Sequence, residues 1–287
     1  MIVPTDKNIL NVTGLVKNFP VRRSLGQRLR GAPVRVHTAV NDISFYLDRG
    51  EVLGIAGESG SGKSTTARCI TRLVEPDAGQ IVFCGQHVRD LRGEELREVR
   101  RRIQMVFQDP YASLNPRISV GSAILEAGRV HHRLGDARPA EFVARQLDLV
   151  KLPRSYASRR PRDLSGGQRQ RIAIARALAT GPEIIIADEA VSALDVSTQT
   201  DIVNLFLDLR DELAVSLIFV AHQLPVIASI ADRVAIMHDG AIVETGPTST
   251  VFTSPQHKYT IELLDAHPRS PFEPAAQQRK GRHDDSH

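Results

Sequence analysis

The chain contains short, wholly apolar runs that alternate with longer segments of helical periodicity. Residues 183–188 (EIIIAD) and 216–221 (SLIFVA) are such runs, and they predict strands of a parallel sheet covered on both faces. Residues 198–213 predict an amphipathic helix. Its apolar stripe, which we expect to lie in the core, consists of Ile202, Phe206, Leu209 and Leu213. The alternation of strands and helices predicts an α/β fold.

Turn residues delimit the other predicted elements. Residues 233–246 predict a hairpin whose turn is Asp239-Gly240. The segment from about 109 to 163 is polar, helical in pattern and interrupted by five prolines, which indicates an inserted helical subdomain. The other segments predicted to form strands are 8–19, 38–56 with a turn signal at Arg49-Gly50, 79–88 and 101–107. The other predicted helices run from the 57–64 loop to about Leu73 and over 167–180. The polar tail, 269–287, is predicted to be disordered.

Composition places the chain among ordinary globular proteins. It has 287 residues, of which 41% are hydrophobic and 24% charged, and its formal net charge is +4. No apolar run approaches the roughly 18 residues of a membrane span, and the start MIVPTDKNIL does not resemble a signal peptide. Cys69 and Cys84 have no metal-ligand spacing and predict buried free thiols.

The basic character is concentrated in a few segments, so we expect no nucleic-acid partner. Residues 20–36 contain five arginines and no acidic residue. A solvated loop and a contact with anionic lipid or a partner subunit are both compatible with this composition.

A phosphate-binding loop is predicted between strand EVLGIA and helix STTARCITRL. Residues 57–64 (GESGSGKS) fit the pattern GxxxxGK[ST]. Glycine-rich geometry lets backbone N–H groups at a helix N-terminus approach a triphosphate, Lys63 would bridge its β- and γ-phosphates, and Ser64 would ligate Mg²⁺. The candidate ATP-binding residues here are Gly57, Glu58, Ser59, Gly60, Ser61, Gly62, Lys63 and Ser64.

Two further segments contain candidate functional residues. Asp188 and Glu189 follow a buried strand, where Asp188 would hold Mg²⁺ and Glu189 would act as a general base or orient the attacking water. Ser165, Gly166 and Gly167 precede a helix and offer a hydroxyl, unhindered N–H groups and a positive dipole end to an anion. A second anion site suggests that one γ-phosphate is held from two sides, by two molecules.

LSGGQ at 164–168, followed by RQRIAIARAL, resembles the signature of the ABC ATPases. Gln108 in MVFQDP resembles the Q-loop glutamine, residues 192–195 (SALD) resemble the D-loop, and His222 in IFVAHQL resembles the switch histidine. The resemblance covers about residues 8–268. It implies a RecA-like P-loop NTPase core with an antiparallel β subdomain and an inserted α-helical subdomain.

The resemblance also implies roles. Lys63, Ser64 and Thr65 would bind phosphates and Mg²⁺, and the magnesium set would be Ser64, Gln108 and Asp188. Glu189, Gln108 and His222 would be catalytic. Ser165, Gly166, Gly167, Gln168 and Asp195 would serve the ATP held by a facing subunit, which is a related ATPase or a second copy of this chain.

Two segments resemble the ATP subunits of oligopeptide and dipeptide importers and their nickel-importing relatives. They are 108–121 (QDPYASLNPRISVG) and 255–268 (PQHKYTIELLDAHP), within a C-terminal element of about 247–268. The second carries HKYT where HPYT is usual. The implied partners are membrane permease subunits and, indirectly, a solute-binding protein, with the chain peripheral on the cytoplasmic side of the membrane. A soluble ABC ATPase of nucleic-acid repair or translation and an exporter ATPase are the alternatives.

The family usually stacks adenine on an aromatic residue ahead of the segment AVNDISF. The corresponding neighbourhood here is 34–37 (VRVH), and the alternatives are stacking on His37 or a weak contact of the base with aliphatic side chains.

Overall fold

The computed structural model describes residues 7–21, 36–109 and 114–266. Most of the arginine-rich segment 20–36, the tail 269–287 and part of the importer-like segment 108–121 lie outside the described residues. The α/β expectation is confirmed: two sheets and a set of helices are built from the described part of the chain.

The first sheet is antiparallel and has strand order β2-β1-β4-β5. Its strands are β1 (Asn8–Pro20), β2 (Val36–Asp48), β4 (Ala78–Phe83) and β5 (Gln86–His87). One face of this sheet packs on the second sheet in a core that includes Leu10, Phe45 and Phe83. The alternating burial along β1 and β2 is the pattern of strands that cover a core on one side.

The second sheet has strand order β10-β9-β3-β8-β7-β6. Its members are β3 (Val52–Ala56), β6 (Ile103–Val106), β7 (Ile184–Asp188), β8 (Ser216–Ala221), β9 (Arg233–His238) and β10 (Ala241–Pro247). Strands β9, β3, β8, β7 and β6 run parallel, and β10 is an antiparallel edge paired with β9. Strands β3, β7 and β8 are buried along their whole length, as their apolar sequences predict.

Helices cover the parallel sheet and build a separate helical layer. They are α1 (Lys63–Ile70), α2 (Gly93–Arg102), α3 (Val120–Val130), α4 (Pro139–Leu149), α5 (Gly166–Leu178), α6 (Val196–Leu213), α7 (Leu224–Ile230), α8 (Thr248–Thr253) and α9 (Lys258–Asp265). Short 3₁₀ helices cover Arg154–Ser158 and Pro161–Asp163. Helices α3 and α4 pack with α5 on a core that includes Ile124, Phe142 and Ile172.

Three expectations from the sequence need correction. The predicted strand 101–107 is shorter, because its first two residues end helix α2, which the apolar pattern did not reveal. Leu213 is 41% exposed, because α6 ends there and the chain turns at Ala214 in a left-handed conformation. Cys69 is buried as expected, but Cys84 is only partly buried.

None of the helices that the structure describes combines the length and the apolar character needed to cross a bilayer.

Candidate nucleotide-binding site

Four predicted site segments lie at one edge of the parallel sheet because each follows the carboxyl end of a strand. The loop 57–64 follows β3, Gln108 lies just beyond β6, Glu189 follows β7 and His222 follows β8. The strand ends are in register, with Ala56 opposite Ala221 and Asp188 opposite Val220. This edge of an open α/β sheet is where ligands bind.

Two glycines fix the shape of the phosphate loop. Gly57 has φ +148° and Gly62 has φ +103°, which L side chains rarely adopt. A Cβ at Gly57 would lie 2.1 Å from the carbonyl oxygen of Met237, and one at Gly62 would lie 2.2 Å from that of Ala39. The loop therefore lies tightly against β9 and β2, and it requires glycine at both positions.

Lys63 is enclosed by the loop that precedes it. Its Nζ donates hydrogen bonds of 2.8 Å to the Gly57 carbonyl and 2.7 Å to the Glu58 carbonyl. Burial lowers the pKa of the Lys63 ammonium, and the negative charges of Glu189, Asp188 and Glu58 oppose that shift. The cation thus lies inside the loop within the field of the carboxylates at the strand ends.

Ser64 is joined directly to the end of β7. Its Oγ donates a hydrogen bond of 2.7 Å to Asp188 Oδ1, and Arg68 Nη2 lies 3.9 Å from Asp188 Oδ2. Burial raises the pKa of the Asp188 carboxyl, although Ser64 and Arg68 partly offset the shift. Hydroxyl and carboxylate oxygens are the ligands that Mg²⁺ prefers, so this pair fits the predicted magnesium site.

Glu189 has a strained backbone beside His222. Its φ is +51°, which is uncommon for a residue with a side chain, and Ser192 stabilises it by donating through its N–H and Oγ to the Glu189 carbonyl. His222 Nδ1 lies 3.6 Å from Glu189 Oε2. Strain of this kind is concentrated at functional sites, and here it occurs where a carboxylate and an imidazole lie close together at the strand ends.

One buried polar atom in the loop has no hydrogen-bond partner among the residues that the structure describes. Ser61 is 5% exposed, yet its Oγ forms no hydrogen bond with any described residue. Because buried hydroxyls are normally satisfied, this atom fits a loop shaped for a polyanion. Glu58, Ser59 and Gly60 are exposed, whereas Gly62 is buried and Ser64 and Thr65 are half-buried at the start of α1.

The second glycine-rich turn begins α5. Ser165 caps this helix by accepting from the Gln168 N–H at 3.3 Å, and Gln168 Oε1 accepts from the Ser165 N–H at 3.0 Å. Gln168 Nε2 also donates to the hydroxyl of Tyr156 at 3.2 Å. Ser165 and Gly166 are exposed, so the first residues of α5 lie at the protein surface.

The turn lies beside the segment that contains Asp195. A Cβ at Gly167 would lie 2.4 Å from Thr198 Cγ2, and Thr198 donates to both carboxylate oxygens of Asp195. Hydrogen bonds from Ser197 and Thr198 lower the pKa of Asp195 to about 2. Asp195 is therefore ionised and caps α6 next to an exposed surface.

An exposed aromatic ring lies beside His37, the residue that the sequence offered for a contact with the base. Strands β1 and β2 pair Phe19 directly opposite His37. The Phe19 ring is 37% exposed, with Lys17 Nζ 5.3 Å from its centroid. Phe19 is 18 positions before His37 in the chain, so only the pairing of β1 with β2 brings the two side chains together.

The sheet order, the glycine-rich loop and the acidic strand end define the class of P-loop nucleotide-binding proteins. The family model described as "ABC transporter" matches residues 40–192, just over half of the chain. The chain therefore belongs to the ABC transporter family, as its motifs indicated.

Two of the similar proteins share one name. "Glutathione import ATP-binding protein GsiA" of Salmonella paratyphi A is 52% identical over 261 residues, and that of Escherichia coli K12 is 50% identical over 260. Each match covers 91% of this chain but only 41% of the relative, so the chain spans about two fifths of those proteins.

Solved structures agree with the fold. One is the dimeric post-hydrolysis structure of the ATP-binding cassette MJ0796, bound to ADP and Pi, with a TM-score of 0.70 and 26% sequence identity. The match covers 83% of this chain and 98% of the MJ0796 chain. The other is cbiO1 from Clostridium perfringens, part of the ABC transporter complex cbiONQ, with a TM-score of 0.74 and 26% sequence identity. The match covers 91% of this chain and 96% of the cbiO1 chain. The predicted class, a P-loop NTPase core with an added antiparallel sheet, is confirmed.

Proposed function

We propose that this chain is an ATP-hydrolysing subunit that energises an importer of small peptides. The observation that carries the proposal is the meeting of Lys63, Ser64–Asp188 and Glu189–His222 at one sheet edge. The names of the relatives that are about 50% identical support the importer class.

The site residues suit the cleavage of a terminal phosphoanhydride. Lys63 and the N–H groups at the start of α1 neutralise the phosphates and position them. Glu189 accepts a proton from the attacking water as the water oxygen bonds to the γ-phosphorus and the bond to the β-phosphate oxygen breaks, which yields ADP and phosphate. His222, 3.6 Å from Glu189, contacts the γ-phosphate.

Ser64, Asp188 and Gln108 are the residues that would hold Mg²⁺. The ion would supply positive charge that offsets the charge of the phosphates. Ser64 and Asp188 already meet at 2.7 Å, and exposed Gln108 follows the neighbouring strand β6.

A second subunit completes the site. The turn formed by Ser165, Gly166 and Gly167 is a helix N-terminus that faces solvent, and Val196, next to Asp195, is 78% exposed. We propose that this surface seals the ATP held by the loop of a facing subunit, and that Gln168 and Asp195 support it there. The facing subunit is a related ATPase or a second copy of this chain.

The nucleotide-binding unit extends over about residues 8–268. The inserted helical subdomain covers about 109–163, and the segment near residues 108–130 couples the chain to membrane permease subunits. The element of about 247–268 is the C-terminal element of peptide-importer ATPases. ATP binding favours closure because the signature contacts exist only in the closed state. The chain acts on the cytoplasmic side of the membrane, and a solute-binding protein delivers cargo to the assembly.

The adenine lies on Phe19, which is exposed at the end of β1, near the strand that contacts Gly62. A flat aromatic ring offers a stacking surface of about the size of the base.

The test is transport by the complete assembly in vesicles. Labelled glutathione, a dipeptide and Ni²⁺ are supplied separately, with ATP enclosed on the side of this subunit. Uptake of a peptide that depends on ATP and is lost in Lys63→Ala supports the proposal. Uptake of Ni²⁺ alone would assign a metal cargo, and ATP hydrolysis without any permease association would favour a soluble ATPase.

A further inference from the structure

The phosphate loop has a contact that none of its motifs includes. The backbone N–H of Glu58 donates a hydrogen bond of 3.1 Å to the hydroxyl oxygen of Tyr259, which lies 201 residues further along the chain in α9. Tyr259 is 7% exposed. Burial raises the pKa of its phenol, so the hydroxyl is neutral at physiological pH.

Tyr259 is held in place by its own surroundings. Its ring stacks on His238 with centroids 3.9 Å apart and an interplanar angle of 27°. The side chain of His257 accepts from the Tyr259 N–H at 3.2 Å, and Glu244 accepts from the His257 N–H at 3.0 Å. The start of α9 is thereby fixed to β9 and β10.

The same hairpin touches the loop directly. The Gly240 N–H donates to the Ser61 carbonyl at 3.1 Å, and Gly57 lies against the Met237 carbonyl. Tyr259 and the hairpin therefore contact the loop from one side as a single structure.

Tyr259 binds the same peptide group that binds Lys63. The Gly57 carbonyl and the Glu58 N–H belong to the same planar unit, so fixing the N–H fixes the direction of the carbonyl. That carbonyl accepts from Lys63 Nζ at 2.8 Å. The result is a continuous chain from the Lys63 ammonium through the 57–58 peptide to the Tyr259 hydroxyl, in which each hydrogen bond polarises the next.

We propose that Tyr259 is a positioning residue for ATP binding: its hydroxyl sets the orientation of the 57–58 peptide and, through that peptide, the resting place of Lys63. The inference rests on the proposed binding of ATP at this loop. It gives the C-terminal element a function in the nucleotide site. Loss of the hydroxyl leaves a backbone donor without its acceptor, so the loop spends less time in the shape that binds phosphates.

The experiment compares Tyr259→Phe with the parent in the complete chain. Phenylalanine keeps the ring on His238 and removes only the acceptor. We expect KM for ATP to rise roughly 3- to 10-fold, the effect of one lost hydrogen bond, with kcat changed less than about 2-fold. Exchange of the Glu58 amide proton with solvent, followed by NMR without nucleotide, should become faster.

Two controls separate positioning from general stability. Tyr46→Phe keeps its ring beneath Arg233 and should leave KM unchanged. Glu58→Pro removes the N–H donor itself, so adding Tyr259→Phe to that background should cause no further rise in KM. Additive effects in the double variant would overturn the proposal.

Three further outcomes would count against the positioning role of Tyr259. An unchanged KM in Tyr259→Phe, or an unchanged exchange rate at Glu58, would overturn the positioning role while leaving the ATPase assignment intact. If the parent itself binds no ATP, the proposed function and this inference both fail. The exchange measurement needs no Glu58 variant, so it decides the point even if Glu58→Pro does not fold.

Discussion

Ser64 Oγ donates a hydrogen bond of 2.7 Å to Asp188 Oδ1, although the two residues are 124 positions apart in the chain. The contact joins the first turn of α1 to the end of β7, across the intervening strand β8. It brings together a hydroxyl and a carboxylate where a phosphate-bound cation would lie, and it is the closest link between the phosphate loop and the acidic strand end.

Lys63→Ala should weaken ATP binding about 10- to 100-fold, because a charged hydrogen bond is worth about 1.5–3 kcal/mol. Fluorescent-nucleotide titration measures this change. Lys151→Ala, which removes a surface cation paired with Asp208, is the matched control and should bind ATP normally. Normal binding by Lys63→Ala would contradict the assignment of the phosphate loop.

Glu189→Gln should lower the hydrolysis rate by about 10²- to 10⁴-fold, because the attacking water loses its general base. ATP affinity should persist, since the contacts of Lys63 and Ser64 remain, and the nucleotide-bound closed dimer should accumulate. Steady-state phosphate release and sedimentation with ATP measure the two effects. Glu212→Gln, at an exposed position on α6, should behave as the parent. Parental turnover in Glu189→Gln would show that another group activates the water.

Phe19→Ala should raise KM for ATP roughly 5- to 100-fold, the usual effect of removing one base-stacking aromatic ring. His37→Ala, on the paired position of β2, should change it less than about 2-fold, because an imidazole offers a smaller face. Kinetics with ATP and tripolyphosphate distinguish stacking from phosphate binding, since tripolyphosphate has no base. A larger effect of His37→Ala would restore the expectation from the sequence.

The two thiols should react differently with a disulfide reagent in the native protein. Burial raises the pKa of Cys69 to about 11 and its side chain has no exposed surface, whereas Cys84 is partly exposed and its Sγ accepts from Arg49 and Arg102. One thiol should therefore react at pH 8, and the second only after unfolding.

Cys69 also contributes a pH dependence to stability. Its folded-state pKa lies above the ordinary value of 9.0, so the folded chain keeps a proton that the unfolded chain releases. The contribution of the Cys69 thiol to the free energy of unfolding should be fully present below pH 9 and should be lost as the pH rises toward 11. The melting temperature of Cys69→Ala should depend less on pH between 9 and 11 than that of the parent. An identical pH dependence in the two proteins would contradict the raised pKa of Cys69.

The sequence was sufficient to predict the parallel sheet and its functional edge. EIIIAD and SLIFVA are apolar throughout because β7 and β8 are covered on both faces, and the residues that follow them necessarily meet at one edge. For this reason Asp188, Glu189 and His222 lie at that edge in the structure, and their chemical roles remain predictions.

What the sequence did not predict depended on long-range pairing or on surface helices. Helix α2 has only two apolar residues, Leu96 and Val99, which pack against the core, and its sequence GEELREVRRR is otherwise charged or glycine. Phe19 lies opposite His37 only because β1 pairs with β2 in that register, and Tyr259 reaches Glu58 only through the packing of α9 on the hairpin. None of these contacts leaves a local pattern in the chain.

The most direct test of the account is a structure of the assembled complex carrying Glu189→Gln, determined with ATP and Mg²⁺. We predict that the γ-phosphate bound at residues 57–64 of one subunit accepts hydrogen bonds of about 3 Å from the Ser165–Gly167 turn of the facing subunit. A closed assembly in which residues 165–167 point away from every phosphate would contradict the shared site.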